Sequence, residues 1–173
     1  IEYNKINTAV FYSISNCQDG LAGISFGNFL IKKVAHKLKQ EISEIDKFVT
    51  LSPVTGLMRW LENHAPVTYE NCINKINDDE NLLKKTFLYL TESNRGDNLP
   101  NDPVARFHLG NGAILHKINL HGDQSKKGMA QSHGVMINYL YDLDIVEKNH
   151  ELFFKNKEVV LSGEMKSLKK KYS

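Results

Sequence analysis

A chain of 173 residues has room for one ordinary domain and not for two large ones. With 41% hydrophobic and 24% charged residues it can bury a core, which excludes a disordered tail. Its 22 basic side chains against 20 acidic ones lack the clustered basic excess of a dedicated nucleic-acid binder.

Two cysteines, Cys17 and Cys72, cannot build a disulfide framework, so a reducing compartment is expected. No apolar run approaches the roughly 18 residues that a membrane span needs. The chain opens Ile1-Glu2-Tyr3-Asn4-Lys5 without a signal peptide or an initiator methionine, as expected of a soluble intracellular segment cut from a longer chain.

In chain order, Thr8–Ser15 is apolar and β-rich and predicts a buried strand. A turn at Asn16–Gly20 leads into a loop punctuated by Gly20, Gly23 and Gly27. From Asn28 the period changes: Leu30, Ile31, Val34, Ala35, Leu38 and Ile42 form one stripe of a helix. Lys47–Leu51 predicts a second short strand, stopped by Ser52-Pro53. Gly56–Asn63 and Asn81–Leu90 predict helices, the second with Asp78 or Asp79 as its cap. Ser93–Asn101 is the clearest loop. Asp102-Pro103 then predicts a cap and first turn, opening a short helix that carries Arg106, Phe107 and His108 and ends at Gly110. Ala113–Asn119 and Val135–Tyr141 predict strands joined by a polar segment, and the chain is helix-prone from Asp144 to a basic end. Strands mixed with helices give an α/β or α+β class.

Three places carry chemistry-bearing residues. A strand, a glycine-bearing loop and a helix in succession suit an anion, because free N–H groups and the helix dipole converge at the helix start. Neither the Rossmann nor the P-loop spacing is present, and a plain turn explains the pattern equally well. Ser52 closes a strand before a proline, where its hydroxyl can serve as nucleophile or donor; most Ser-Pro pairs are turns. His108 ends a short helix, as a general acid or base or simply as a cap on the last carbonyls. His108, His116, His121 and His133 lack the close paired spacing of a zinc helix, which argues against a metal site.

Four blocks resemble the C-terminal catalytic domain of malonyl-CoA decarboxylase: VFYSIS at Val10–Ser15, GISFGNFLIKKV at Gly23–Val34, LSPVTGLMRWL at Leu51–Leu61, and NDPVARFHLGNGAILHKIN at Asn101–Asn119. A weaker fifth is SHGVMINYLYDL at Ser132–Leu143. They occur in the family's order; the segment between Leu61 and Asn101 is looser and shorter than in some relatives. The resemblance implies a GNAT-like acyltransferase fold, a mixed central sheet flanked by helices, with residues 1–173 forming the C-terminal part of that domain. It further implies that the family's N-terminal helical domain and the first strands of its sheet are lacking here.

The resemblance also implies decarboxylation of malonyl-CoA to acetyl-CoA and carbon dioxide, within fatty-acid metabolism. The family's catalytic serine and histidine fall on Ser52 and His108, and further active-site positions on Ser13 and Tyr141. The loop of Gly20, Gly23, Ser25, Gly27 and Asn28 would hold the coenzyme A pyrophosphate. Ser25 stands where the family usually has a glutamate, which puts full activity or the standard substrate in question. No separate cofactor is expected, since the coenzyme A thioester is the substrate. Malonyl-CoA is the expected partner, along with a homo-oligomer formed through the family's helical domain. Bacterial cytoplasm or mitochondrial matrix fits, and Lys171-Tyr172-Ser173 is no peroxisomal tripeptide. A GNAT-type acyltransferase, a non-catalytic acyl-CoA-binding relative and a plain interaction module are the alternatives.

Overall fold

The computed structural model describes residues 6–12, 26–93 and 96–172, with backbone alone at 26–29. Four strands, β1 (Thr8–Tyr12), β2 (Lys47–Pro53), β3 (Ile114–Asn119) and β4 (Met136–Leu140), form one sheet in the order β1-β2-β4-β3. β1 and β2 run parallel, Thr8 facing Lys47 and Tyr12 facing Leu51, and α1 (Phe26–Glu41) lies between them in the chain. Such a crossover is what a parallel pair requires, since a tight turn cannot return the chain to the same end. β4 runs antiparallel to both β2 and β3, and enters between them although it follows both in sequence. Phe48, Thr50 and Ser52 are buried and Lys47, Val49, Leu51 and Pro53 are not, so β2 turns one residue in two toward the core.

Helices pack around this sheet: α2 (Leu57–His64), α3 (Pro66–Ile73), α4 (Asp79–Thr91), α5 (Pro103–Gly110), α6 (Lys126–Ser132), α7 (Val146–Asn156) and α8 (Gly163–Tyr172). Leu57, Leu61, Phe87, Leu90, Leu109, Leu115, Ile137, Phe153 and Met165 are fully buried and join them in one core. Among the described residues no helix is long and apolar enough to cross a membrane.

The structure moves several expected boundaries. β1 is described to Tyr12, and residues 13–15 of the expected strand lie outside the described residues. β2 does not stop at Leu51: Ser52 pairs with Ile137 and Pro53 with Met136. Pro53 is thus a paired strand residue, carried at the last position of β2. Helix α3 has no counterpart among the expected elements, and the polar segment after β3 contains α6. Neither shows a broad apolar stripe; each has two buried side chains or backbones. Asp78 sits at the cap position of α4 but makes no capping bond. Its carboxylate accepts from Asn71 and Asn81 instead, both at 2.8 Å.

The start of α5 is as the sequence predicts. Asp102 is fully buried, and its Oδ1 accepts from the N–H groups of Val104 (3.0 Å) and Ala105 (2.9 Å). Its Oδ2 takes longer bonds from the Gly56 N–H (3.4 Å) and the Tyr89 hydroxyl (3.5 Å). Burial pushes this carboxyl up from its usual range, and the backbone donors pull it back down. One side chain thus ties the first turn of α5 to the starts of α2 and to α4. A Cβ at Gly56 would overlap the Tyr89 hydroxyl, so glycine is required there for close approach. At the other end of α5, Gly112 has φ +87° and carries the chain into β3. Replacing Asp102 by Ala removes a helix cap and strands two further donors. We expect a loss of about 2 kcal/mol or more, read as a lower urea midpoint with an unchanged slope.

Candidate active site

Three elements meet at one buried point. β2 supplies Thr50 and Ser52, α5 supplies His108, and β4 with the residue after it supplies Tyr139 and Tyr141. His108 lies on the same side of α5 as the buried Ala105, three residues earlier, which turns its ring to the sheet and away from solvent. His108 is 3% exposed, Ser52 5% and Tyr141 1%.

The polar atoms form a row. His108 Nε2 is 3.1 Å from Ser52 Oγ, and His108 Nδ1 is 2.9 Å from the Tyr141 hydroxyl. Ser52 Oγ donates to Thr50 Oγ1 at 2.9 Å. The Tyr139 ring stacks on the His108 ring, 4.6 Å between centroids with 23° between planes, and Phe107 presents an edge 5.0 Å away. An imidazole held among aromatic faces loses the water that would stabilise its charged form. Burial accordingly pushes His108 down to about 3, so at neutral pH its ring is uncharged. Burial pushes the Tyr141 hydroxyl up, keeping it protonated, while the neighbouring Asn111 amide acts in the other direction. The site offers a neutral imidazole and three hydroxyls, poised to donate or pass protons without a resident charge.

Ser52, His108 and Tyr141, chosen from the sequence, are therefore in one hydrogen-bonded row. The alternative reading of His108 as a cap on its own helix does not describe it, since both ring nitrogens face side chains of other elements. Gly27 and Asn28 fall in the first turn of α1, whereas Ser13, Gly20, Gly23 and Ser25 lie outside the described residues. Thr50 and Tyr139 are additions. The signal for Thr50 was present: two residues before Ser52 on a strand, it faces the same way. Nothing in the sequence distinguished Tyr139 from an ordinary core tyrosine. Among the described residues no cluster of three or more His, Cys, Asp or Glu is arranged to hold a metal.

A mixed sheet with a βαβ unit at one edge and a buried polar row at the end of its second strand is an arrangement with known counterparts. The loading GNATL domain of CurA from Lyngbya majuscula shares the fold, with TM-score 0.52 at 18% identity over 79% of this chain and 55% of that one. The family profile for the malonyl-CoA decarboxylase C-terminal domain matches residues 1–87 and 65–173, and the chain belongs to that family. Malonyl-CoA decarboxylase from Agrobacterium vitis is 43% identical with TM-score 0.86, over 97% of this chain and 46% of that one. The mitochondrial malonyl-CoA decarboxylase of the goose Anser anser anser is 32% identical over 204 aligned residues, covering 94% of this chain. This chain spans about 40% of the goose protein's length.

The depressed basicity of His108 has a consequence for stability. Its folded value of about 3 lies below the ordinary imidazole value of 6.5, so between these limits the unfolded chain binds the extra proton. The contribution of neutral burial is complete above about 6.5 and is lost as pH falls toward 3. We expect the wild-type melting temperature to fall more steeply over this window than that of His108→Gln; parallel slopes in thermal denaturation would contradict it.

Proposed function

We propose that this chain carries the catalytic part of a malonyl-CoA decarboxylase and converts malonyl-CoA to acetyl-CoA and carbon dioxide. The observation that carries the reading is the row from Ser52 through His108 to Tyr141, buried at the end of β2 in a chain of this family. Its likeness to proteins named malonyl-CoA decarboxylase supports the substrate.

The coenzyme would bind at the start of α1. Its pyrophosphate would meet the N–H groups of the first turn, around Gly27 and Asn28, with the glycine-bearing loop of Gly20, Gly23 and Ser25 preceding it in the chain. The thioester and malonyl group would then reach the end of β2. Ser52 would hold the carboxylate through its hydroxyl, turning the breaking bond perpendicular to the thioester plane. As that C–C bond breaks, carbon dioxide leaves neutral and the electron pair passes to the thioester as an enolate. A buried site replaces water around the carboxylate by fixed hydroxyls, which favours departure of the uncharged product.

The enolate must then gain one proton at carbon. His108 would supply it from Nε2, being neutral at working pH and still a better acid than the carbon it protonates. A neutral imidazole is known to act as an N–H donor toward a developing enolate oxygen, and here the same N–H would face the carbon. Tyr141, bonded to Nδ1, would support the electron density left on the ring, and Ser13 would complete the polar wall. A well-placed donor to the developing oxyanion is worth about 2.7–4 kcal/mol, and a positioned acid about 10²–10⁴ in rate. The thioester carbonyl is itself the electron sink, so the reaction asks for no further cofactor.

Turnover of malonyl-CoA by the full chain, with acetyl-CoA and free coenzyme A followed together, tests the reading. Acetyl-CoA should form, and both Ser52→Ala and His108→Ala should lower kcat by about 10²-fold or more. Free coenzyme A without acetyl-CoA would instead mean acyl transfer or hydrolysis. Malonyl-CoA binding without product would mean a non-catalytic relative.

A further inference from the structure

The pairing of β2 with β4 is interrupted beside the row. Val49 faces Leu140 and Ser52 faces Ile137, but no ladder pairs join 50 to 139 or 51 to 138. The Tyr141 N–H bonds the Phe48 carbonyl at 2.8 Å. Alternation along an antiparallel ladder would next give the Tyr139 N–H to the Thr50 carbonyl. It goes instead to the Thr50 hydroxyl, at 3.2 Å, and the Thr50 carbonyl is taken by Asn138 Nδ2 at 2.6 Å. Thr50 is fully buried. Its side chain has been drawn into the sheet, and its Oγ1 is a junction between the Tyr139 backbone and Ser52 Oγ.

Proton accounting along the row then has one favoured solution. Ser52 has a single hydroxyl proton and two polar neighbours, Thr50 Oγ1 and His108 Nε2. A Tyr141 hydroxyl needs an acceptor, and its hydrogen-bond partner is His108 Nδ1 at 2.9 Å. A phenol is a better donor than an aliphatic alcohol, so leaving its proton unpaired would cost more than leaving that of Thr50. Tyr141 therefore donates to Nδ1, the neutral ring carries its hydrogen on Nε2 and donates to Ser52, and Ser52 donates to Thr50.

We propose that Thr50 is a positioning residue: by accepting the Ser52 proton it fixes His108 in the Nε2–H tautomer and points the Ser52 proton away from the imidazole. This rests on the decarboxylase reading for its catalytic meaning. With Thr50 in place, Ser52 cannot pass its proton to His108, so the pair does not make a serine nucleophile. When the malonyl carboxylate binds, Ser52 would turn its proton from Thr50 to that carboxylate, and His108 would already carry on Nε2 the hydrogen that the enolate needs. Removing the Thr50 hydroxyl takes away the acceptor, turns the Ser52 proton to Nε2 and moves the ring hydrogen to Nδ1.

The experiment compares wild type, Thr50→Val and Thr50→Ser, all as the full 173-residue chain. Histidine 15N correlation spectra, assigned with His108→Gln, report the tautomer without any need for turnover. Wild type and Thr50→Ser should show Nε2–H at His108, and Thr50→Val should show Nδ1–H. In parallel, kcat for malonyl-CoA should fall by about tenfold or more in Thr50→Val, with KM little changed, and Thr50→Ser should recover most of it. An Nδ1–H tautomer in wild type would overturn the proposal by itself, even if Thr50→Val failed to fold. So would an unchanged tautomer in a folded Thr50→Val, or loss of kcat in Thr50→Ser equal to that in Thr50→Val. A tautomer change without any wild-type turnover would leave the proton arrangement standing and remove the decarboxylase reading.

Discussion

The central constraint is the exclusion of water from an imidazole. Once His108 is buried among Tyr139, Tyr141 and Phe107, its two nitrogens must be satisfied by protein groups or pay the cost of going without. The same burial that lowers its basicity obliges a hydroxyl at each nitrogen, and each hydroxyl in turn has its own demand. The polar row is the answer to that demand. It draws on β2, α5 and β4 at once, so the geometry of the site is inseparable from how those three elements pack.

What holds the elements in this relation lies a few ångströms away and carries no chemistry of its own. Asp102 is capped by donors from α5, α2 and α4 together, so the start of the helix that bears His108 is tied to the turn following the strand that bears Ser52. At the far end of α5 the left-handed turn at Gly112 sends the chain straight into β3. The helix is anchored at both ends against the sheet. This is a supporting shell of the kind a reactive geometry needs, since an ångström of misplacement is costly in rate.

Periodicity and capping chemistry made much of the fold legible. The alternation over β2 and the Asp102-Pro103 start of α5 each carry their cause in the local sequence, whereas of the expected α1 stripe Ile31 and Ala35 are buried and Leu30, Val34 and Ile42 are exposed. Helices α3 and α6 were not legible because short helices need little amphipathicity once tertiary packing holds them. Pro53 was misleading for a different reason: a proline can stand at the end of a strand and still face a partner, as Pro53 faces Met136. At the site, Ser52, His108 and Tyr141 were reached through the resemblance of whole blocks, since neither Ser-Pro nor a helix-ending histidine is distinctive alone. Thr50 escaped notice because its role depends on a gap in a ladder whose other strand is nearly ninety residues away.

The strand order has a consequence for how the molecule comes into being. β4 occupies the place between β2 and β3, yet it is the last of the four to emerge during synthesis. Until it is made, the pairing edge of β2 stands open, and so does that of β3. An unpaired edge is a template for other chains, and sheets closed by distant segments form slowly. The nascent protein therefore passes through a stage in which its most sociable surfaces are those it will later bury beside the reactive row. The insertion of one five-residue strand closes both edges and brings Tyr139 and Tyr141 to the histidine in a single event. Closure of the two facing edges and assembly of the site are thus one event.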